Sequence, residues 1–420
     1  RDGGERARRM VPYTTAESFN PEDLWKWMRR YEESTGGQLL ALAHNGNMSN
    51  GIMFPVERNP ATGKPLTGDY AKQRARWEPL YEVTQIKGDG ETHPLLSADD
   101  EFADYETLEL GNLNLTVPKK DSMLQYEYAR EALKNGLKLG TKLGTNPYKF
   151  GMVGSSDTHT ALAAVEEENY IGKHAGTEPS PERWNHPMAK FAGRQYEGYA
   201  MASSGYAAVW ATANTRKALF DAMKRKEVYA TTGPRMLVRF WGGWNFVEAD
   251  ANSRLPAAVG YAKGVPMGGD LSKGPDGKSP TFLVAALKDP YGANLDRIQI
   301  IKGWVDKGGK TQEKVYDVVW GDAASRKPGA DGKLPAVGDT VDVKNATWTN
   351  TIGDPELMAV WTDPEFDPNL KAFYYARVIE IPTPRWTAYD AKRFKVAMSK
   401  EVVMTTQERA YTSPIWYTPE

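Results

Sequence analysis

The sequence predicts an α/β fold, a parallel sheet or barrel, followed by a β-rich antiparallel module. Three observations carry this expectation. Helical periodicity alternates with short buried strands over the first part of the chain. Each of those strands runs into a polar segment holding a histidine or a carboxylate. From Met236 onward the pattern changes to short β-like runs separated by Gly, Pro and Asp turns. The chain therefore divides into a barrel-like portion, residues 1–235, and a β-rich module, residues 236–420, packed on it.

The elements follow in order. Asn20 is a good N-cap, Pro21 suits the first helical position, and Glu22 and Asp23 favour the positive end of the helix dipole. Leu24, Trp27, Met28 and Tyr31 recur at helical spacing until Gly36-Gly37 ends the helix. Residues 38–44 form an apolar run ending in His44, read as a buried strand, and residues 80–86 read as the next. A long amphipathic helix is expected from Asp121 through Leu139, and a strand over 149–154 runs into Asp157 and His159. Residues 160–212 are loop-rich, and Asn214 is placed to cap a helix through Arg225. The β module is expected to hold strands over 281–287, 295–305, 314–320, 357–361 and 372–381, with turn-rich connections at 261–280 and 322–338. There is no internal repeat.

Composition excludes several classes. The 420 residues carry 53 Lys+Arg and 54 Asp+Glu, a net charge of -1, so nothing general drives the chain to nucleic acid or an anionic membrane. No apolar run approaches the ~20 residues that span a bilayer. With no cysteine there is no disulfide, no thiolate metal site and no cysteine nucleophile. Any metal must be held by carboxylates and the five histidines. A Gly-x-Ser-x-Gly elbow, a Walker loop, a dinucleotide fingerprint and a His-Glu-x-x-His motif are all missing.

In α/β folds chemistry collects at the carboxyl ends of the strands, and there the candidates lie. Asp157 and His159, two residues apart after a strand, can both reach a metal if the backbone turns; a turn-capping Asp beside a polar His is the even alternative. His44 falls at the same rim, although a lone histidine after a strand is more often structural. Glu91 and His93 have ligand spacing, with Lys87 able to bind an anionic group; a charged surface turn is the alternative. Arg235, at a turn before a strand, is either an oxyanion contact or a surface ion-pair partner. Glu166, Glu167 and Glu168 read as a solvated face. His174 and His186 read as loop or structural residues, and large aromatics such as Trp241 and Trp244 as core or as a stacking surface.

Together, Pro21-Glu-Asp-Leu-Trp25, Ala43-His-Asn-Gly-Asn-Met-Ser-Asn50, Gln85-Ile-Lys-Gly-Asp-Gly-Glu-Thr-His-Pro94 and Gly154-Ser-Ser-Asp-Thr-His159 resemble the family called domain of unknown function 3604 (DUF3604). So do the Asn214-Thr-Arg216 and Glu227-Val-Tyr-Ala-Thr-Thr-Gly-Pro-Arg235 segments and the closing Ser413-Pro-Ile-Trp-Tyr-Thr418. That family in turn looks like a branch of the polymerase-and-histidinol-phosphatase (PHP) superfamily. The resemblance implies a distorted (β/α)7 barrel with two or three Zn, Mn or Fe ions, His44, Asp157 and His159 being metal ligands. It further implies that the superfamily's opening His-x-His and bridging carboxylate lie upstream of Arg1. The barrel is then incomplete, its N-terminal part missing from these residues and supplied by a preceding or separate fragment.

The expected function is a metal-dependent hydrolase that turns a metal-activated water on a phosphoester-like or related ester substrate. Glu91 and His93 serve as ligands or acid/base groups, and Lys87 and Arg235 neutralise developing negative charge. The alternative is a non-catalytic subunit whose Trp-rich β module holds a ligand or partner. A small, anionic substrate is expected, with no nucleic acid and no membrane span; a homo-oligomer is compatible with the sequence. Relatives that carry export signals, and the lack of cysteine, favour a periplasmic or secreted setting, with the cytoplasm as the alternative.

Overall fold

The computed structural model of the chain describes residues 4–8, 10–191, 193–330 and 332–419. The first helix forms as its signals dictate, over Pro21–Thr35. The Asn20 side chain accepts a hydrogen bond from the Glu22 amide at 3.2 Å, and Gly36 closes the helix at φ 67°. Trp25, Met28 and Tyr31 form its buried face.

Three parallel strands then build a small sheet: β1 (Leu42–Ala43), β2 (Leu80–Gln85) and β4 (Gly151–Gly154), with β2 between the other two. A fourth short strand, β3 (Gly88–Asp89), turns back antiparallel on the end of β2. The strand expected over 38–44 is reduced to two residues because β2 offers it only Leu80 and Tyr81 as partners. Among the described residues the fold is mixed α/β, and no sheet closes on itself.

The helix expected from Asp121 to Leu139 breaks into Asp121–Leu124 and Ala129–Leu143. The reason is local. The amides of Ala129 and Arg130 donate to the carbonyls of Gly90 and Glu91, at 2.8 and 2.9 Å, rather than to a preceding helical turn. Thr215, not Asn214, caps Arg216–Lys224 by accepting from the Ala218 amide at 3.2 Å.

The β-rich expectation is met. Strands Thr281–Leu287, Leu295–Val305, Thr311–Trp320, Glu356–Thr362 and Ala372–Glu380 lie in antiparallel ladders. They belong to a four-stranded and an eight-stranded sheet. Val238, Phe240, Phe282, Val284, Ile298, Ile300, Tyr374 and Ala376 share one core between the sheets, on alternate positions of their strands. The other face of the eight-stranded sheet, through Ile301, Phe373, Tyr375 and Tyr411, receives Ala129, Ala132, Leu133 and Leu137 of the helix Ala129–Leu143. That sheet is therefore buried on both faces, which is why Ala372–Glu380 has no exposed residue. It also joins residues on both sides of position 235: Arg409–Thr412 pairs with Val228–Thr231, which pairs with Tyr206–Val209.

Candidate functional site

The carboxyl edge of the parallel sheet gathers the polar residues. His44 follows β1, Glu82 projects from β2 with Lys87 just beyond it, and Ser155, Asp157 and His159 follow β4. The backbone packs tightly beneath this edge. A Cβ on Gly154 would lie 2.8 Å from the carbonyl oxygens of Thr231 and Tyr206, so only glycine ends β4 in that position.

A chain of hydrogen bonds fixes His44. The Lys87 amide donates to Gln85 Oε1 at 2.8 Å, which orients the Gln85 amide so that Nε2 donates to Asn45 Oδ1 at 2.7 Å. Asn45 in turn presents Nδ2 to His44 Nδ1 at 2.8 Å. A neutral His44 then carries its proton on Nε2. Its side chain is 58 % exposed, with the buried Glu82 carboxylate 3.9 Å from Nδ1. Ser155 Oγ donates to the other Glu82 oxygen.

Asp157 sits at φ 47°, a left-handed conformation that turns its side chain back toward β2. Two ammonium groups meet its carboxylate: Lys87, and Lys173 at 2.9 Å. Lys173 also donates to the Asp157 carbonyl at 2.8 Å and lies 3.1 Å from His159 Nε2, and its own carbonyl accepts from the His159 amide at 2.7 Å. Burial, reinforced by the neighbouring Lys173 charge, lowers Lys87 to about 7, while the Glu82 carboxylate acts in the opposite sense. Lys173 likewise holds the exposed His159 below its ordinary value.

Glu91 and His93 are drawn into other contacts. Glu91 is 2 % exposed. It is bound by Arg130, by Arg377 at 2.9 Å and by the Tyr375 hydroxyl. Asp100 joins the same network through both arginines. His93 is buried beside Tyr128, accepts from the Leu95 amide on Nδ1 at 3.1 Å, and has Glu109 3.5 Å from Nε2. Arg235 is exposed and pairs with Glu166 at 3.0 Å. Of the acidic triplet, Glu168 is exposed while Glu167 turns in to accept from the Trp386 amide. His174 is exposed on its loop and His186 is half-buried. Trp241 is buried, and Trp244 packs on Phe366 and Tyr417, so both serve the core.

As arranged, the donors do not fit a metal. Among the described residues no three His, Asp or Glu side chains form a group able to hold an ion. His44 faces Glu82 while Asp157 faces His159. Two lysines occupy the Asp157 carboxylate, where a dication would repel them. His44 accepts on one ring nitrogen and, when neutral, is protonated on the other.

Two members of the cluster were missed in the sequence. Glu82 has a readable signal, a carboxylate inside the otherwise buried run Leu80-Tyr-Glu-Val-Thr-Gln85. Lys173 has none, since it lies in a loop sixteen residues beyond Asp157, next to the more conspicuous His174. No helix among the described residues is long and apolar enough to cross a membrane. No curated protein and no solved structure matches the chain. A family model does match it, over residues 1–419, and the chain belongs to that family, described as protein of unknown function (DUF3604).

Proposed function

We propose that the chain is a hydrolase of anionic substrates, phosphoester-like or related esters, working at the carboxyl edge of β1, β2 and β4. The observation that supports this is the meeting of His44, Glu82, Asp157 and His159 with Lys87 and Lys173 on one sheet edge. Two ammonium groups facing each other repel, and an anion placed between them relieves that repulsion, so the pair favours a substrate oxyanion. His159, which Lys173 holds below its ordinary value, is suited to accept a proton from water once that lysine turns to the substrate; His44, when neutral, presents Nε2–H and is suited to hydrogen-bond the leaving oxygen. Asp157 holds the two lysines in place until substrate arrives.

The PHP-like barrel implied by the sequence resemblance belongs to this proposal as its finer form, and so does metal dependence, which would require these side chains to turn from their present partners to an ion. The three parallel strands with polar carboxyl ends are the feature such a barrel would share. The test is hydrolysis of p-nitrophenyl phosphate, bis-p-nitrophenyl phosphate and p-nitrophenyl acetate, with chelator or with added Zn, Mn or Fe. Turnover that is lost in Asp157→Asn is the expected result. No turnover of any of the three esters under any metal condition overturns the reading. Turnover that survives chelation removes only its metal-dependent form.

A further inference from the structure

A second cavity, of about 330 Å³, shares no residue with the parallel-sheet edge. Its walls carry Glu166, Asp289, Glu380 and Glu408, with Trp348 and Tyr389 beside them. An acidic wall alone would say little, because carboxylates often face solvent. Glu380 is different. It ends the strand Ala372–Glu380, is 1 % exposed, and its Oε1 finds no hydrogen-bond partner among the described residues. Leaving a buried carboxylate oxygen unpaired costs several kcal/mol unless a donor arrives.

The nearby cations do not supply that donor. Lys288 gives its ammonium to the carbonyls of Asp289 and Gly292, both at 2.9 Å. Arg385 is held by Glu106 in a two-pronged pair at 2.7 and 2.8 Å, and Arg235 by Glu166. Glu408, also buried, accepts from hydroxyls, those of Tyr105 and Thr232. Burial pushes Glu380 and Glu408 well above the usual carboxylate range, with Asp289 adding to it at Glu380 and Glu167 at Glu408. Lys288 and Arg385 act on this wall from a distance, but neither donates to Glu380 Oε1, which stays open to a further donor.

We propose that this cavity binds an organic cation, a primary ammonium or guanidinium carrying an apolar group, with its charge against Glu380 and Glu408 and its body against Trp348 and Tyr389. The half-buried aromatic rings favour an organic cation over a bare ion. Among the described residues no three carboxylates converge closely enough to hold a metal. The Arg235 guanidinium on Glu166 shows that the wall already accepts this chemistry from the chain itself. The volume suits a ring-sized ligand at the small end of known sites.

Calorimetric titration of the full chain with benzylamine and with benzamidine tests this, with benzyl alcohol as the neutral analogue. At least one of the two cations is expected to bind and benzyl alcohol is not. Glu380→Gln should weaken binding at least tenfold. The same variant should unfold at an equal or higher temperature than the wild type, because glutamine has no charged form for burial to penalise; a purely structural Glu380 would give the opposite shift. Trp348→Ala, at a half-exposed position, should weaken binding without unfolding the protein. Equal binding by Glu380→Gln, equal binding of benzyl alcohol, or binding of neither cation overturns the proposal. So does displacement of the amine by calcium or zinc in a manner that Glu380→Gln abolishes.

Discussion

Two carboxylates singled out by their sequence spacing, Glu91 and Asp157, end in opposite environments. Glu91 is closed in by Arg130, Arg377 and Tyr375, with Asp100 completing a network at the junction of the α/β portion and the eight-stranded sheet. Asp157 lies on an open edge and is met by two lysines, one of them lowered to about 7. Arginine keeps its charge at any working pH and grips a carboxylate with a rigid fork, which suits a permanent joint. Lysine is a movable point charge whose ionisation responds to burial, which suits an exchange of partners. The contrast suits the first cluster to holding the fold and, under the proposed function, the second to handling a ligand.

The largest effect should come from opening the first cluster. Arg377→Met keeps the volume but leaves Asp100 and Glu91 buried with Arg130 alone, and a broken buried pair costs about 3–5 kcal/mol. The urea midpoint should fall accordingly. The pH dependence has a definite sign. Burial would raise Asp100, but Arg377 and Arg130 outweigh it and hold this carboxyl far below its usual range. A depressed folded value gives stability that is present above the unfolded value of about 3.9 and is lost as pH falls below it. Wild type should therefore lose stability on acidification below pH ~4, and Arg377→Met should lose less. An unchanged urea midpoint would remove the structural half of the contrast.

The second cluster should respond the other way. Asp157→Asn keeps the shape and removes the charge that holds Lys87 and Lys173. Hydrolysis should fall about 100-fold, equivalent to about 2.7 kcal/mol in the barrier, while the urea midpoint moves little. A variant that unfolds readily yet retains its turnover per folded molecule would invert the assignment.

Between the two clusters stands Asp89, on β3, with Oδ1 accepting from the Glu91 amide at 2.8 Å and Oδ2 unpaired. Burial pushes it up to about 7, against that hydrogen bond and with the Glu91 charge adding to the rise. A raised folded value means stability that is full below about pH 3.9 and is lost as pH rises through 7. Asp89→Asn keeps the acceptor and avoids the charge. It should be about 1–3 kcal/mol more stable than wild type at pH 8 and no more stable at pH 4. Urea melts at the two pH values measure this, and a difference that does not change with pH would show that Asp89 stays charged in the fold.

Much of this was readable from local patterns. Strands Thr281–Leu287 and Leu295–Val305 fall where apolar runs bounded by turn residues place them, and the Asn20-Pro21 start of the first helix follows from capping chemistry alone. The placement of His44, Lys87, Asp157 and His159 on one edge also followed, because strand ends are local and parallel neighbours share an edge. What was not readable depends on distant partners. The break before Ala129 needs the carbonyls of Gly90 and Glu91, and the role of Glu91 needs Arg377, 286 positions away. Spacing alone could not separate a ligand pair from one half of a buried ion-pair network.

Arg235 gives the smallest expected effect and the finest probe of the contrast. It is an arginine, as in the first cluster, but its side chain is 67 % exposed and its partner Glu166 is 40 % exposed. If the identity of the cation decided the role, Arg235→Ala would destabilise the fold. If burial decides it, solvent screening leaves the pair worth no more than about 0–1 kcal/mol. We expect the second result, with the urea midpoint almost unchanged and less sensitive to added salt than wild type. Turnover should also stay within about twofold, because no contact joins the guanidinium to His44, Lys87, Asp157 or His159 among its described partners, Glu166 and the ring of Tyr206. A drop of tenfold or more in turnover would instead return Arg235 to the substrate-binding group, and would extend the reactive edge across the strand Val228–Thr231 to the wall of the second cavity.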